Sequence, residues 1–255
     1  MQKKEVCWNI TTRCNQCCKY CHRFLNISDL SFEENKQILK KLIADGITDI
    51  TWTGGEALMY HNIELLIEYA FNNGIKNKLI TNGEILANID IKKITSYLDS
   101  LTLSIDSVNN KTNEKLGRGD KHYNNIKYIL DSINNSNLKI RINTVANKIN
   151  LNEITELIEF LNNYNIYAWR IFRFMPLREI AVVNKEKFEI TDQEFLRVKK
   201  IIKQNSNIKK IEYREEKDME EKYLLLVANG DIIVTENGCD IKKGNALNDN
   251  IGKFM

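Results

Sequence analysis

Four cysteines fall within eight positions, Cys14, Cys17, Cys18 and Cys21, and whatever fold the chain adopts must present them together on one short segment. Clustered thiols at this spacing suit metal ligation in a reducing compartment better than a disulfide framework. The other two cysteines, Cys7 and Cys239, stand apart from the cluster. The segment Thr12-Arg-Cys14-Asn-Gln-Cys17-Cys18-Lys-Tyr-Cys21 contains a C-x3-C-x2-C set made by Cys14, Cys18 and Cys21, with Cys17 outside it. Three thiolates on an iron–sulfur cluster leave one iron open, because such clusters otherwise take four.

Around this loop the chain alternates strand-like and helix-like segments. Val6–Ile10 is an apolar run before the cysteines, and Ser31-Phe-Glu-Glu34 after them reads as a capping box opening a helix to about Ala44. Asp45-Gly46 stops that helix, Ile47–Thr53 is a short strand, and Ile63–Tyr69 carries apolar residues at helical spacing. Further strands are expected near Asn77–Thr81, Leu101–Ile105, Lys139–Val145 and Tyr167–Phe174. Helices are expected near Ile89–Tyr97, Tyr123–Ile133, Leu151–Leu161 and Thr191–Lys203. Six strands each followed by a helix imply parallel pairing with right-handed crossovers, an α/β fold of the partial (βα)6 TIM-like barrel type. Active-site residues then belong at the C-terminal ends of the strands.

Residues 1–205 form this barrel, and 206–255 read as a C-terminal extension covering it. The extension holds a charged stretch, Lys209–Lys222, with no assignment, and then Tyr223–Val227 and Ile232–Thr235 as a β-hairpin around Asn229-Gly230. With 255 residues and 43% hydrophobic content the chain can bury one substantial core. Lys and Arg total 37 against 34 Asp and Glu, so the balance supports neither nucleic-acid nor membrane-surface binding. The start, MQKKEVCWNITT, lacks the apolar region of a secretion signal, and no apolar run approaches the ~18–20 residues that span a bilayer. A cytoplasmic location is expected.

The same thiolates would serve a zinc site, and Cys18-Lys-Tyr-Cys21-His22 matches a haem-attachment pattern. Haem attachment requires export, and neither alternative explains Thr53-Gly54-Gly55-Glu56 at the end of the second strand. Together the cysteine spacing and the Gly-Gly-Glu turn resemble the radical SAM superfamily over about Val6 to Lys203. That resemblance implies a [4Fe–4S] cluster on Cys14, Cys18 and Cys21, with S-adenosylmethionine (SAM) on the open iron. It further implies reductive cleavage of SAM to a 5′-deoxyadenosyl radical that takes a hydrogen atom from a substrate. By the same resemblance Thr53, Gly54, Gly55 and Glu56 hold the methionyl part of SAM. Asn82 and Ser104 bond its ribose, Arg118 grips its carboxylate, and Tyr20 flanks its adenine.

Within the superfamily, Tyr97 to Ser107, Gly117-Arg-Gly119, Ile140 to Val145, Trp169 to Phe172 and Phe188 to Phe195 are similar to viperin-like enzymes. Those enzymes convert ribonucleoside triphosphates to 3′-deoxy-3′,4′-didehydro analogues, so a nucleotide is the small-molecule substrate implied. An electron donor such as flavodoxin or ferredoxin is the implied partner. Arg141, Asn143 and Val145 share one face of the fifth strand, and Arg170 and Phe172 one face of the sixth. Facing inward, Arg141 and Arg170 converge, and two guanidiniums without local carboxylates call for phosphate; the other reading pairs them with acids at the barrel mouth. Arg141, Asn143 and Arg170 are therefore the candidate substrate residues. Three positions depart from the viperin pattern: Cys7 replaces an asparagine, Asp49 a lysine and Ala168 an arginine. Two other readings remain, modification of a peptide or small metabolite, and a non-catalytic iron–sulfur and SAM-binding sensor. Only Cys239 follows the barrel, which argues against auxiliary clusters.

Overall fold

The computed structural model describes residues 4–133, 137–218, 224–236 and 239–254. The barrel half of the chain is built from β1 (Glu5–Thr11), α1 (Phe32–Ala44), β2 (Asp49–Gly54), α2 (Ile63–Asn72), β3 (Lys76–Thr81), α3 (Ile91–Thr95) and β4 (Ser100–Ser104). It continues through α4 (Asn110–Leu116), α5 (His122–Ile133), β5 (Lys139–Ala146), α6 (Ile154–Leu161), β6 (Ala168–Arg173), α7 (Glu179–Val183), α8 (Lys185–Phe188) and α9 (Asp192–Asn205). The remainder supplies β7 (Ile211–Arg214), β8 (Leu224–Leu226), β9 (Asp231–Glu236) and β10 (Cys239–Asn245).

Helix starts follow the local chemistry. Ser31 caps α1 by accepting from the Glu34 amide, while the Glu34 carboxylate accepts from the Ser31 amide at 2.8 Å, and Thr191 with Glu194 repeats the device at α9. The helix α4 was not anticipated. Its sequence, NKTNEKL, is almost wholly polar, so it carries little apolar periodicity; an Asn109 cap opens it and Gly117 in the left-handed region closes it.

Among the described residues the strands form a single sheet in the order β10-β9-β8-β1-β2-β3-β4-β5-β6-β7. Pairing is parallel from β8 through β1 to β7, as alternating strands and helices dictate, and antiparallel across β8, β9 and β10. The unassigned charged stretch contains a seventh parallel strand, β7, on one edge; residues 219–222 of that stretch, and Tyr223 of the expected hairpin, lie outside the described residues. At the other edge β8 pairs with β1, so the hairpin continues the sheet and gains β10, whose sequence, CDIKKGN, is too polar to read as a strand.

Strand alternation divides the side chains into two sets. Val6, Trp8 and Ile10 are wholly buried against the helix layer, as are Trp52 and Trp169. The indole of Trp52 donates to Asn77 Oδ1 at 2.8 Å and that of Trp169 to Thr144 Oγ1 at 2.9 Å, so these two indoles bury with their N–H groups satisfied, whereas Trp8 stacks on Trp52 with its Nε1 unpartnered among the described residues. The opposite set, including Cys7, Asn9, Thr53, Ser104, Asn143 and Arg170, points to a cavity inside the curved sheet.

Candidate active site

The cysteine segment leaves β1 at the C-terminal end of the parallel strands and is tied down at three points. Thr11 Oγ1 and Arg13 Nε both donate to Asp29, at 2.8 and 2.9 Å. The amides of Cys17 and Lys19 donate to Gly117 and Leu116 carbonyls at 3.0 Å, which docks the loop on the end of α4. A Cβ at Gly117 would lie 2.2 Å from the Cys17 carbonyl oxygen, and its φ of +87° is strained for any side chain, so only glycine lets α4 approach the loop this closely. The third tie is Arg23, whose Nη1 donates to the Gln16 carbonyl at 3.2 Å.

This loop buries Cys18, leaves Cys14 and Cys21 half-buried and exposes Cys17. Burial raises the Cys14 thiol and pushes Cys18 up to about 11, so a metal must displace protons to bind. The Gln16 amide donates to Cys14 Sγ, a contact that favours its thiolate, and the Arg23 amide donates to Cys21 Sγ, both at 3.4 Å. Among the described residues no three His, Cys, Asp or Glu side chains close around one ion. Three soft thiol donors on one loop suit a [4Fe–4S] cluster, whose irons take one thiolate each and leave the fourth iron open.

Beside the loop lies a cavity of about 370 Å³. Tyr20, Cys21, Thr53, Gly54 and Arg118 line it, as do Ser104, Asn143 and Arg170, which neighbour one another in strand register. Strands β8 and β9 contribute Leu225, Ile233, Val234 and Thr235, and β10 contributes Asp240. Gly54 and Gly55 have a second duty besides backbone exposure: a Cβ on either would sit 2.2 Å from the carbonyl oxygen of Thr11 or Arg13, so both permit the β2 turn to pack on the cysteine loop.

Glu56 is buried behind that turn, accepting from Thr81 Oγ1 at 2.9 Å, the Asn82 amide at 2.7 Å and the Leu58 amide at 3.2 Å. Burial outweighs these bonds and pushes its carboxyl up to about 7. The Asn82 side chain turns to the cysteine loop, donating to Asn15 Oδ1 at 2.8 Å and approaching Cys14 Sγ at 3.8 Å, and does not line the cavity.

Arg118 is buried, and its Nε meets Asp106 Oδ2 at 2.5 Å; the Tyr20 hydroxyl donates to the same carboxylate, and the Val145 amide to its other oxygen at 2.7 Å. The guanidinium also lies 5.6 Å from the centroid of the Tyr20 ring. Burial and the adjacent Asp106 raise the Tyr20 phenol, keeping it a donor. His122 donates through Nε2 to the Ser104 carbonyl at 2.9 Å while Gln16 approaches its Nδ1 at 3.4 Å; burial and Arg118 hold its pKa well down, so the ring is neutral. Sequence reasoning missed Asp106, Gln16 and His122 as site residues. For Asp106 the signal was present in Ser104-Ile-Asp106, two positions after a cavity residue.

The candidate substrate residues separate. Asn143 pairs with Arg170 in register, but Arg141 pairs with Ala168, one step nearer the closed end, and its guanidinium lies 5.0 Å from the Tyr167 ring centroid rather than in the cavity wall. Arg170 is not without a carboxylate: its Nη2 meets Glu212 Oε2 at 3.0 Å, from β7. Asp49 and Ala168 both begin their strands, below the cavity, and Asp49 meets Lys78 Nζ at 3.1 Å. Of the three departures from the viperin pattern, only Cys7 reaches the cavity wall.

The sequence profile of the radical SAM superfamily matches residues 8–161. An S-adenosylmethionine-dependent nucleotide dehydratase of Flammeovirga pacifica is 30% identical over 246 residues, covering 92% of this chain and 83% of that protein. Another so named, of Lacinutrix mariniflava, is 29% identical over 204 residues, 75% of this chain but 42% of the relative. In structure the chain resembles Streptococcus suis SuiB bound to S-adenosylmethionine, with a TM-score of 0.74, 18% identity, and coverage of 98% of this chain and 65% of SuiB. Among the described residues no helix is long and apolar enough to cross a membrane.

Proposed function

The chain belongs to the radical SAM superfamily, enzymes that work with a [4Fe–4S] cluster and SAM, and on that premise we propose that it abstracts a hydrogen atom from a nucleotide. The observation that carries this reading is the cavity itself, which joins the cysteine loop to a wall bearing Asn143, Arg170 and Arg214. Relatives named nucleotide dehydratases support the substrate class.

In this proposal Cys14, Cys18 and Cys21 hold the cluster. When bound, the cluster supplies the electron that cleaves SAM to a 5′-deoxyadenosyl radical. Thr53 and Gly54 present backbone to the methionyl group, and Glu56 accepts from its ammonium. Arg118 takes the carboxylate with the N–H groups that Asp106 leaves unused, and Tyr20 and Ser104 bound the adenosyl part. Asn82 acts through the cysteine loop it contacts. Asn143 and Arg170 orient the substrate, and Arg141 supports them from below. Residues 206–255 cover the barrel mouth, supported by the cavity residues that β8, β9 and β10 supply. A cytoplasmic location, a flavodoxin or ferredoxin donor and no nucleic-acid partner belong to the same proposal, the last supported by the near-balanced charge.

The deciding experiment is anaerobic: reconstitute the cluster, add SAM and dithionite with or without mixed nucleotides, and quantify 5′-deoxyadenosine. Stimulation by a nucleotide is the expected result. Slow basal formation that no nucleotide enhances would send the substrate search to peptides and small metabolites.

Glu56 predicts a pH dependence. Its folded pKa, about 7, lies above the ordinary carboxylate value, so the free site is increasingly neutral as pH falls below 7. An ammonium needs the carboxylate. SAM affinity should therefore weaken toward about tenfold per unit below that pH, and Glu56→Gln should bind more weakly with a flat profile. A wild-type profile equally flat from pH 8 to 5.5 would remove Glu56 from SAM binding.

A further inference from the structure

Arg23 stands two positions after Cys21 and reaches across the whole ligand set. Its amide donates to Cys21 Sγ at 3.4 Å and its Nη1 to the Gln16 carbonyl at 3.2 Å, while the Gln16 amide donates in turn to Cys14 Sγ at 3.4 Å. Burial raises the Cys14 thiol, and against it the Gln16 amide and then the Arg23 guanidinium favour the thiolate. One side chain therefore acts at both the first and the last thiol of the loop.

Its Nε is in a different position. That atom is buried, and among the described residues it has no hydrogen-bond acceptor. A guanidinium N–H withheld from water and left unbonded carries a desolvation cost that nothing in the chain offsets, and such an orphan points to a group that binds from outside. The side chain lines the cavity beside Cys21, with Nη1 anchored on Gln16.

A [4Fe–4S] cluster on Cys14, Cys18 and Cys21 brings acceptors to this place, because its sulfides and its thiolate sulfurs carry lone pairs and negative charge. Hydrogen bonds to those sulfurs and the charge around them set the reduction potential. Reduction adds negative charge to a cluster that its ligands already make anionic, so a cation with a free N–H favours the reduced form. Arg118, the guanidinium beside Cys18, is committed elsewhere: its Nε meets Asp106 Oδ2 at 2.5 Å.

We propose that Arg23 donates its Nε–H to a sulfur of the bound cluster and, together with its charge, raises the cluster's reduction potential. This rests on the assignment of the cluster to the three cysteines and adds a tuning residue to it.

The test compares wild type, Arg23→Lys and Arg23→Gln after anaerobic reconstitution. Iron and sulfide are quantified, the midpoint of the cluster is measured by a redox titration followed by electron paramagnetic resonance without SAM, and SAM affinity is measured by calorimetry. Arg23→Gln, which lacks both the charge and Nε, should show about a tenfold smaller ratio of reduced to oxidised cluster at a given poise, a midpoint about 59 mV more negative. Arg23→Lys keeps the charge without Nε and should shift less in the same direction. The midpoint belongs to the clusters that form, so partial loading does not obscure it, and if Arg23→Gln assembles none the lysine variant decides. An unchanged midpoint overturns the proposal. With lower iron content it would leave Arg23 only as the tie to Gln16, and with weakened SAM binding it would make SAM the acceptor for Nε. A wild-type protein that assembles no four-iron cluster removes the cluster assignment and this role together.

Discussion

A Cys18→Ala protein is expected to retain almost no iron after anaerobic reconstitution and to form 5′-deoxyadenosine from SAM only at background, with Cys14→Ala and Cys21→Ala behaving alike. The reasoning begins with coordination: three thiolates are the minimum that leaves one iron open for SAM, and removing any of them leaves two. Cys17→Ala is the control. Its side chain is exposed, and the docking of that residue on Gly117 is made by its backbone, which alanine keeps. Cys18 also packs with Tyr20, Leu116, Phe174 and Phe188, so alanine removes some core contact. Thermal unfolding of the apo-protein separates the two effects, since a small side-chain truncation costs far less than a lost cluster. Full activity in Cys18→Ala would overturn the ligand assignment.

Asp106→Ala should be the most destabilising single change near the site that leaves the cysteines intact, costing about 3–5 kcal/mol in denaturant unfolding of the apo-protein. Three groups depend on this carboxylate: the buried Arg118 guanidinium, the Tyr20 hydroxyl and the Val145 amide. Its own side chain is fully buried, so water cannot take its place once it is removed. The charge of Arg118 would then be stranded beside Cys18 and Tyr20. Adding Arg118→Met to Asp106→Ala should recover part of the loss, because a buried cation without a partner costs more than an apolar side chain of similar length. A cost below about 1 kcal/mol for Asp106→Ala, or no recovery in the double variant, would show that Arg118 finds another acceptor.

How far the sequence could be read depended on which signals are local. The capping box at Ser31 and Glu34, and the six parallel strands from β1 to β6, were legible because caps act over one helical turn and strand alternation shows within a few residues. The cysteine spacing and the Gly-Gly-Glu turn were legible for the same reason. By contrast α4, β7 and β10 are polar segments held by neighbours rather than by their own pattern. The sequence places Arg170 in the cavity but cannot see that Glu212, 42 positions later, pairs with it.

By itself, then, the sequence determined the order of strands and helices, the end of the barrel at which the chemistry sits, and the three thiols available to a cluster. Each depends on periodicity or spacing within a few residues. Tertiary structure alone decided which charges are free. It set Arg118 against Asp106, divided Glu212 between Arg170 and Arg214, and sent Arg141 to Tyr167 instead of the cavity. The register of neighbouring strands brings together residues far apart in the chain, and at ion-pair distance a partner sets a side chain's effective charge more than its identity does.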